Sequence, residues 1–214
     1  MQHQHPGFLL VIEGIDGAGK STQADMVAEV LRQRGRDVVR SKEPTDGKWG
    51  RMLRASATTG RLPIDEELRA FYEDRKEHVA TLIEPSLAAG KVVILDRYYF
   101  STAAYQGARG IDFQKIISDN ESFAPEPDLL VMLDIEPQSG RGRIHGRGDQ
   151  TNEFEKNETL SRARAIFLQI KKPYLIILDA RKPKEEICET TVARITQTMA
   201  DRPKQRTPVR TPEL

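Results

Sequence analysis

The sequence has little cysteine, almost no net charge and no long hydrophobic run. Cys188 is the only cysteine among the 214 residues, so the chain can form neither an internal disulfide nor a structural zinc site built from several thiolates. Lysine and arginine number 33 against 32 aspartates and glutamates, which leaves a formal net charge of +1. That balance provides no overall field for nucleic acid or an anionic membrane, so any anion-binding site must be local.

The same absences bear on location. No apolar stretch approaches the ~18 residues that a membrane-spanning helix needs. Residues 1–7 lack the charged and then apolar layout of a secretory signal. We therefore expect a cytoplasmic protein with no membrane partner and no nucleic-acid partner.

The order of apolar and amphipathic segments predicts an α/β fold. Continuous apolar runs predict buried strands at 8–12, 37–40, 91–95, 128–133 and 174–178. Amphipathic stretches predict helices at 22–34, 64–89 (one or two helices), around 101, and at 113–118, 153–171 and 185–199. Strands of this kind separated by helices indicate a five-stranded parallel sheet with helices on both faces. Ligands then bind at the edge formed by the carboxyl ends of the strands.

We expect one domain over residues 8–199, because 214 residues suit a single hydrophobic core. A disordered N-terminus is expected at 1–7. A disordered tail is expected at 200–214, where Pro, Arg and Thr are frequent and apolar periodicity is absent.

A phosphate-binding loop follows the first predicted strand. Residues 14–21 read GIDGAGKS and match G-x-x-x-x-G-K-[ST], the P-loop, between a strand and a helix as the motif requires. Its backbone N–H groups and the helix N-terminus would surround the phosphates of ATP. Lys20 would reach the β- and γ-phosphates, and the Ser21 hydroxyl would ligate Mg²⁺. The predicted ATP-binding residues are Gly14, Gly17, Ala18, Gly19, Lys20, Ser21 and Thr22.

An Asp-Arg pair closes the strand predicted at 91–95. A carboxylate at the end of a buried strand lies on the ligand edge, so Asp96 could hold Mg²⁺ through water. The guanidinium of Arg97 beside it could donate two hydrogen bonds to a phosphate. The N-K-x-D motif by which GTPases recognise guanine is absent. A small P-loop protein with such a pair is typical of a small-molecule kinase.

These residues resemble the thymidylate kinase family. The P-loop and the segment 96–107, DRYYFSTAAYQG, are similar to the two motifs of that family, and the resemblance covers residues 8–199. It implies a P-loop nucleoside monophosphate kinase fold and the transfer of the γ-phosphoryl group of ATP to thymidine monophosphate, giving thymidine diphosphate for dTTP synthesis. It also implies Mg²⁺ as cofactor and a homodimer.

The resemblance assigns roles on the acceptor side. Asp16 would contact the acceptor sugar, and Arg97 its phosphate. Phe71 would stack on the thymine, and Arg75, four residues later on the same helix face, would hydrogen-bond the edge of the base. Tyr105 would leave no room for a 2′-hydroxyl. The remaining predicted acceptor residues are Ser101, Thr102 and Gln106.

The resemblance also predicts a lid at 140–152, a segment rich in Gly and Arg. One class of the family carries an arginine inside the P-loop, where this sequence has Gly17. Arg143 and Arg147 would supply that charge to the transferred phosphoryl group, with Arg141 the next candidate. Glu155 is carried over as a contact after the lid. Around residues 43–47 the match to the family is partial, and Arg51 or Arg54 would serve the acceptor phosphate there.

Two other readings stay open. The chain could be a kinase of another deoxynucleotide or of a deoxynucleoside, because a few changes in the pocket would alter base preference. It could also be a nucleotide-binding regulator without turnover. The presence of Lys20, Ser21, Asp96 and Arg97 favours an enzyme over a regulator.

Overall fold

A parallel five-stranded sheet runs through the part of the chain that the structure describes. This computed structural model describes residues 5–139 and 153–202, apart from the side chains of 153–157. The strands lie in the order β2-β3-β1-β4-β5. Their bounds are β1 (Phe8–Glu13), β2 (Val38–Lys42), β3 (Val92–Asp96), β4 (Leu129–Asp134) and β5 (Leu175–Asp179). The predicted fold class is confirmed.

Helices cover both faces of this sheet. In chain order they are α1 (Lys20–Gln33), α2 (Lys48–Thr59), α3 (Ile64–His78), α4 (Glu84–Ala88), α5 (Tyr99–Gly107), α6 (Phe113–Glu121), α7 (Glu153–Gln169) and α8 (Lys184–Asp201). α1 packs against α8 on one face, while α5 packs against α6 and α7 on the other. Among the described residues, no helix is long and apolar enough to cross a membrane.

β1 is the centre of the sheet and of the core. All six of its residues are buried, and it pairs in parallel with β3 on one side and β4 on the other. Its continuous apolar sequence reflects burial on both faces. In this register Ile12 lies opposite both Asp96 and Val131. The carboxyl ends of β1 and β3 therefore meet at one edge, and the candidate site lies there.

One stretch of the predicted 64–89 helix has an unusual pitch. Val79–Ile83 forms a π-helical turn between α3 and α4. Pro85 lies at the start of α4, has no N–H to donate, and in a regular α-helix its ring would collide with the carbonyl of Thr81. The wider turn accommodates this proline and lets the helix continue.

Helix α2 was absent from the predicted elements. Its buried residues are Gly50, Leu53 and Ser56, which follow helical spacing. A side chain at Gly50 would overlap the backbone carbonyl of Thr45, so glycine permits a close approach between α2 and the preceding loop. The glycine weakens the local helix signal but is required by the packing.

The start of the first described segment and the end of the last one both make contacts with the rest of the domain. α8 continues to Asp201, and Arg202 donates to the Gly7 carbonyl (2.6 Å) and pairs with Asp128. At the other end, the Gly7 N–H donates to the Leu87 carbonyl (2.9 Å). Residues 7 and 200–202 are thus anchored to the domain. The rest of the predicted tail, and residues 1–4, lie outside the described residues.

Candidate active site

The P-loop connects β1 to α1 at the carboxyl edge of the sheet. Gly14 has a φ of 146°, and a Cβ there would lie 2.5 Å from the Leu133 carbonyl oxygen, so only glycine fits. α1 begins at Lys20, with no side-chain cap and no acidic residue in its first turn. The N-terminal N–H groups of this helix are therefore available to an anion, as the motif predicts.

Lys20 is held inside the loop among charged neighbours. Its side chain is buried, and its Nζ donates to the Ile15 carbonyl (2.8 Å). Burial and the nearby Arg97 together lower the pKa of Lys20 to about 8, although Asp16 opposes the shift. A bound phosphate would place a further negative charge beside this ammonium.

Ser21 and Asp96, the two predicted magnesium residues, meet beside the P-loop. The Ser21 hydroxyl donates to Asp96 Oδ2. The other carboxylate oxygen, Oδ1, is buried without a hydrogen-bond partner among the described residues. A hydroxyl and an unpaired carboxylate oxygen are hard ligands that fit Mg²⁺. Across the described residues, no group of three or more His, Cys, Asp or Glu side chains is arranged to hold a metal, so the ion would also need oxygens from the nucleotide.

Asp16, Arg97 and Tyr105 form one hydrogen-bonded group. Arg97 Nη2 donates to Asp16 Oδ1, and the Tyr105 hydroxyl donates to Asp16 Oδ2 (3.2 Å). The Arg97 guanidinium also lies 5.5 Å from the centre of the Tyr105 ring, within cation–π distance. The structure therefore brings together three residues that the sequence placed around the acceptor sugar and phosphate.

Electrostatics keep Asp16 and Arg97 ionised, while burial raises the pKa of Tyr105 and keeps its hydroxyl neutral. Burial alone would raise the pKa of Asp16, but Arg97 and Lys20 hold it below its ordinary value. Burial would lower the pKa of Arg97, but Tyr105 and Asp16 more than offset it and raise that pKa. Arg97 has a φ of 74°, a left-handed conformation that costs a side-chain-bearing residue about 1–2 kcal/mol. Such strain at a turn beside a P-loop is typical of a functional position.

Glu13 is a site residue that the sequence reasoning missed. Its Oε1 accepts from the N–H groups of Tyr98 (2.8 Å) and Ser101 (3.0 Å), and its Oε2 accepts from the Ser101 hydroxyl (2.5 Å). The same hydroxyl accepts from Arg97 Nη1 (3.1 Å). Glu13 thus fixes the start of α5 to the end of β1. A carboxylate closing an otherwise apolar buried strand was the available signal.

Arg75 is completely buried, 1% exposed, and joined to Thr102. Its Nη2 donates to Thr102 Oγ1 (3.1 Å), which places two predicted base contacts side by side. Its other partners are Glu43 and Asn120, neither of which the sequence reasoning singled out.

Two further predicted acceptor residues differ in their surroundings. Phe71 on α3 is half-buried and belongs neither to the hydrophobic core nor to the partly buried residues packed against it, among those described. Its ring is therefore available as a platform. Gln106 is buried near the carboxyl end of α5. Its carbonyl oxygen, Oε1, already accepts a hydrogen bond from Arg109 Nη1 (3.0 Å).

The loop at 43–47, after β2, accepts hydrogen bonds from Arg51 and Arg54, the arginines expected to contact the acceptor phosphate. Arg51 donates to the Asp46 carbonyl (2.6 Å), and Arg54 donates to the Pro44 carbonyl (2.9 Å) and to Asp46 Oδ1 (2.7 Å). These contacts tie α2 to the loop. Lys42, the last residue of β2, lies opposite Asp96 in the sheet and places a cation at the ligand edge.

The predicted lid, 140–152, lies outside the described residues, and Arg141, Arg143 and Arg147 with it. The side chain of Glu155 also lies outside them.

Glu13→Gln should remove a pH-dependent term from the stability of the protein. Burial raises the pKa of Glu13 from 4.5 to about 7, despite hydrogen bonds from Ser101. Because the native state then binds the proton more tightly, the free energy of unfolding that Glu13 contributes falls as pH rises from 4.5 to about 7. The carbonyl oxygen of glutamine can accept from the N–H groups of Tyr98 and Ser101, and its amide N–H can donate to the Ser101 hydroxyl, but the side chain cannot ionise.

The measurement is urea unfolding of both proteins at several pH values. We expect the wild-type free energy of unfolding, minus that of Glu13→Gln, to decrease across this window and to level off above it. A difference that stays constant from pH 4.5 to 7 would contradict the assignment.

Comparisons with known proteins agree with this geometry. The family model for thymidylate kinase matches residues 12–191. A thymidylate kinase from Xanthomonas campestris pv. campestris is 47% identical over 196 residues, covering 92% of this chain and 86% of the relative. One from Akkermansia muciniphila is 48% identical over 184 residues, covering 86% of this chain and 89% of the relative. The predicted resemblance is confirmed: the chain belongs to the thymidylate kinase family.

Proposed function

We propose that this chain transfers the γ-phosphoryl group of ATP to thymidine monophosphate, giving thymidine diphosphate. The observation that carries the proposal is the direct hydrogen bonding between the P-loop residue Asp16 and the acceptor-side residues Arg97 and Tyr105. Phosphoryl transfer without a covalent intermediate requires donor and acceptor to be bound side by side, with cations over the transferred group. This edge of the sheet provides such a place.

On the donor side, the P-loop and the start of α1 bind the triphosphate. Lys20 neutralises the β- and γ-phosphates, and Ser21 and Asp96 are the residues that would hold Mg²⁺, Asp96 through water. The ion, when bound, neutralises phosphate charge and orients the γ-phosphoryl group. Arg143 and Arg147 are proposed to close over the transferred group from the lid.

On the acceptor side, Arg97 binds the phosphate of the nucleotide. A guanidinium has five N–H donors, and two of the four on its Nη atoms are used by Asp16 and Ser101, so others remain for phosphate oxygens. Tyr105 packs over this guanidinium and narrows the space for a 2′-hydroxyl. Phe71 offers a ring face to the base, and Arg75 with Thr102 meets its edge.

Three further properties are proposed from the family likeness. The enzyme works as a homodimer, as family members do. It acts in the cytoplasm, a reducing compartment in which cysteines such as the buried Cys188 stay as free thiols. It serves the synthesis of dTTP. The alternatives are a kinase for another deoxynucleotide or a deoxynucleoside, and a regulator without turnover.

The test of the proposed function is turnover of a panel of acceptors with ATP and Mg²⁺. We expect kcat/KM to be highest for thymidine monophosphate, lower for the deoxyuridine and deoxycytidine monophosphates, and lowest for uridine monophosphate. Tyr105→Ala should relax the discrimination against the ribonucleotide, while Tyr105→Phe, which keeps the ring, should not.

A higher kcat/KM for cytidine or adenosine monophosphate than for thymidine monophosphate would contradict the thymidylate assignment. It would still be consistent with a phosphotransferase. Absence of turnover with every acceptor, in a protein that binds ATP, would favour the regulator.

Lys20 should take up a proton when ATP binds near pH 8. The pKa of Lys20 is about 8 in the free protein because of burial, and phosphate oxygens beside the ammonium raise it. Affinity for ATP should therefore fall as pH rises above 8. Calorimetric titrations in two buffers of different ionisation enthalpy measure the uptake directly. Lys20→Met should bind ATP more weakly and show no such uptake; equal uptake in the variant would place the titrating group elsewhere.

A further inference from the structure

Arg75 is enclosed by a buried network that spans three parts of the chain. Its Nε and Nη2 both donate to Glu43 Oε2, at 2.9 and 2.7 Å. Its Nη1 donates to Asn120 Oδ1 (2.6 Å), and its Nη2 also donates to Thr102 Oγ1 (3.1 Å). Glu43 follows β2, Asn120 lies on α6 and Thr102 on α5, and all are buried. The guanidinium is therefore fixed from several directions.

The count of donors shows what this network leaves for a ligand. An arginine side chain has five N–H groups in a rigid plane. Glu43 takes two, Asn120 one and Thr102 one, so a single N–H of Nη1 has no partner among the described residues. A guanidinium held in this way can donate to one acceptor atom of a ligand, and its position is set by the groups that hold the other four.

Two of the three partners of Arg75, Glu43 and Asn120, are themselves held by hydrogen bonds. Glu43 Oε1 contacts His78 Nδ1 (3.0 Å), and His78 Nε2 contacts Ser41 Oγ (2.8 Å). The Glu43 N–H donates to the Asp96 carbonyl (3.1 Å), which ties this residue to the edge where Asp96 lies. Asn120 Nδ2 donates to the Ile116 carbonyl (2.7 Å).

We propose that Glu43 and Asn120 are positioning residues that determine which pyrimidine the acceptor site takes. They act through Arg75, whose remaining N–H meets the base, and the inference rests on the proposed function. Thymine and uracil carry a carbonyl at position 4, which accepts from that N–H. Cytosine carries an amino group there, which would leave two donors facing each other. A mobile guanidinium could turn away from the amino group, so discrimination depends on holding it still.

The experiment compares binding of deoxyuridine monophosphate and deoxycytidine monophosphate, which differ only at the edge of the base. Their dissociation constants are measured calorimetrically without ATP, so catalysis does not enter. In wild type we expect tighter binding of the uridine nucleotide. In Glu43→Gln and in Asn120→Ala the ratio of the two constants should fall roughly tenfold, since an unpaired buried donor no longer opposes cytosine.

Glu67→Gln is the matched control. Glu67 is a buried acid on α3 that pairs with Arg109 and Arg61, outside the Arg75 network. Its loss should lower stability while the binding ratio stays within about twofold of wild type, because the Arg75 contacts are untouched. If Glu43→Gln does not fold, because a buried arginine has lost its counter-charge, Asn120→Ala decides alone.

The outcomes separate the two claims. A wild type that prefers the uridine nucleotide, with variants that keep the same ratio, overturns the inference and leaves the proposed function standing. A wild type without preference overturns the thymine assignment itself. If Glu67→Gln also lowered the ratio of the two dissociation constants, the effect would be a general result of destabilisation, and the positioning role would be overturned.

Discussion

The pairing of β1 with β3 is the constraint on which the rest of the site depends. With Ile12 opposite Asp96, the P-loop begins beside the point where β3 ends, and the Arg97 N–H donates to the Ile12 carbonyl (3.1 Å). A slip of one residue would turn the side chain of Asp96 to the other face of the sheet. Ser21 would then lose its partner. Because β1 is apolar and buried on both faces, its apolar residues alone do not set this register. Glu13, which ends the apolar run and accepts from the N–H groups of Tyr98 and Ser101, holds the end of β1 in place beside the residues that follow β3.

Acidic residues at the ends of the strands connect the sheet to the surrounding helices, and each of them binds a different helix. Glu13 holds the start of α5, and Glu43, just after β2, holds Arg75 on α3. Asp96 accepts from Ser21 at the start of α1, and Asp134 accepts from Arg164 on α7 at 2.6 and 2.9 Å. Glu13 and Glu43 are buried, and their carboxylates accept from N–H, O–H or guanidinium donors, as burial requires. Asp96 differs from them in that its buried Oδ1 has no hydrogen-bond partner among the described residues. The helices on both faces of the sheet are thereby tied to the same edge of the sheet.

Sequence patterns predict much of the fold because the relevant signals are local. Four of the five strands begin with a continuous apolar run, and β2, with the sequence VVRSK, is the exception. Residues 14–21 follow one another along the chain, so their motif and its strand-and-helix context are visible without a structure. The segment 96–107 is likewise contiguous, and the structure does bring Arg97 and Tyr105 onto Asp16.

What the sequence could not predict depends on distant contacts. Glu43 and Asn120 lie 32 and 45 residues from Arg75, and their meeting follows from the way α3, α5 and α6 pack. Arg75 therefore looks like a surface charge until its burial is known. Helix α2 was missed although Leu53 and Ser56 follow helical spacing, because Gly50 is a poor helix former and its role is to approach Thr45.

The central claim is that donor and acceptor nucleotides lie side by side across Asp16 and Arg97. It is tested most directly by a single molecule that joins adenosine and thymidine through a chain of five phosphates. Equilibrium competition should show that one such molecule binds per chain and displaces both ATP and thymidine monophosphate. Displacement of only one of the two nucleotides would contradict the account, because the two sites would then not be adjacent.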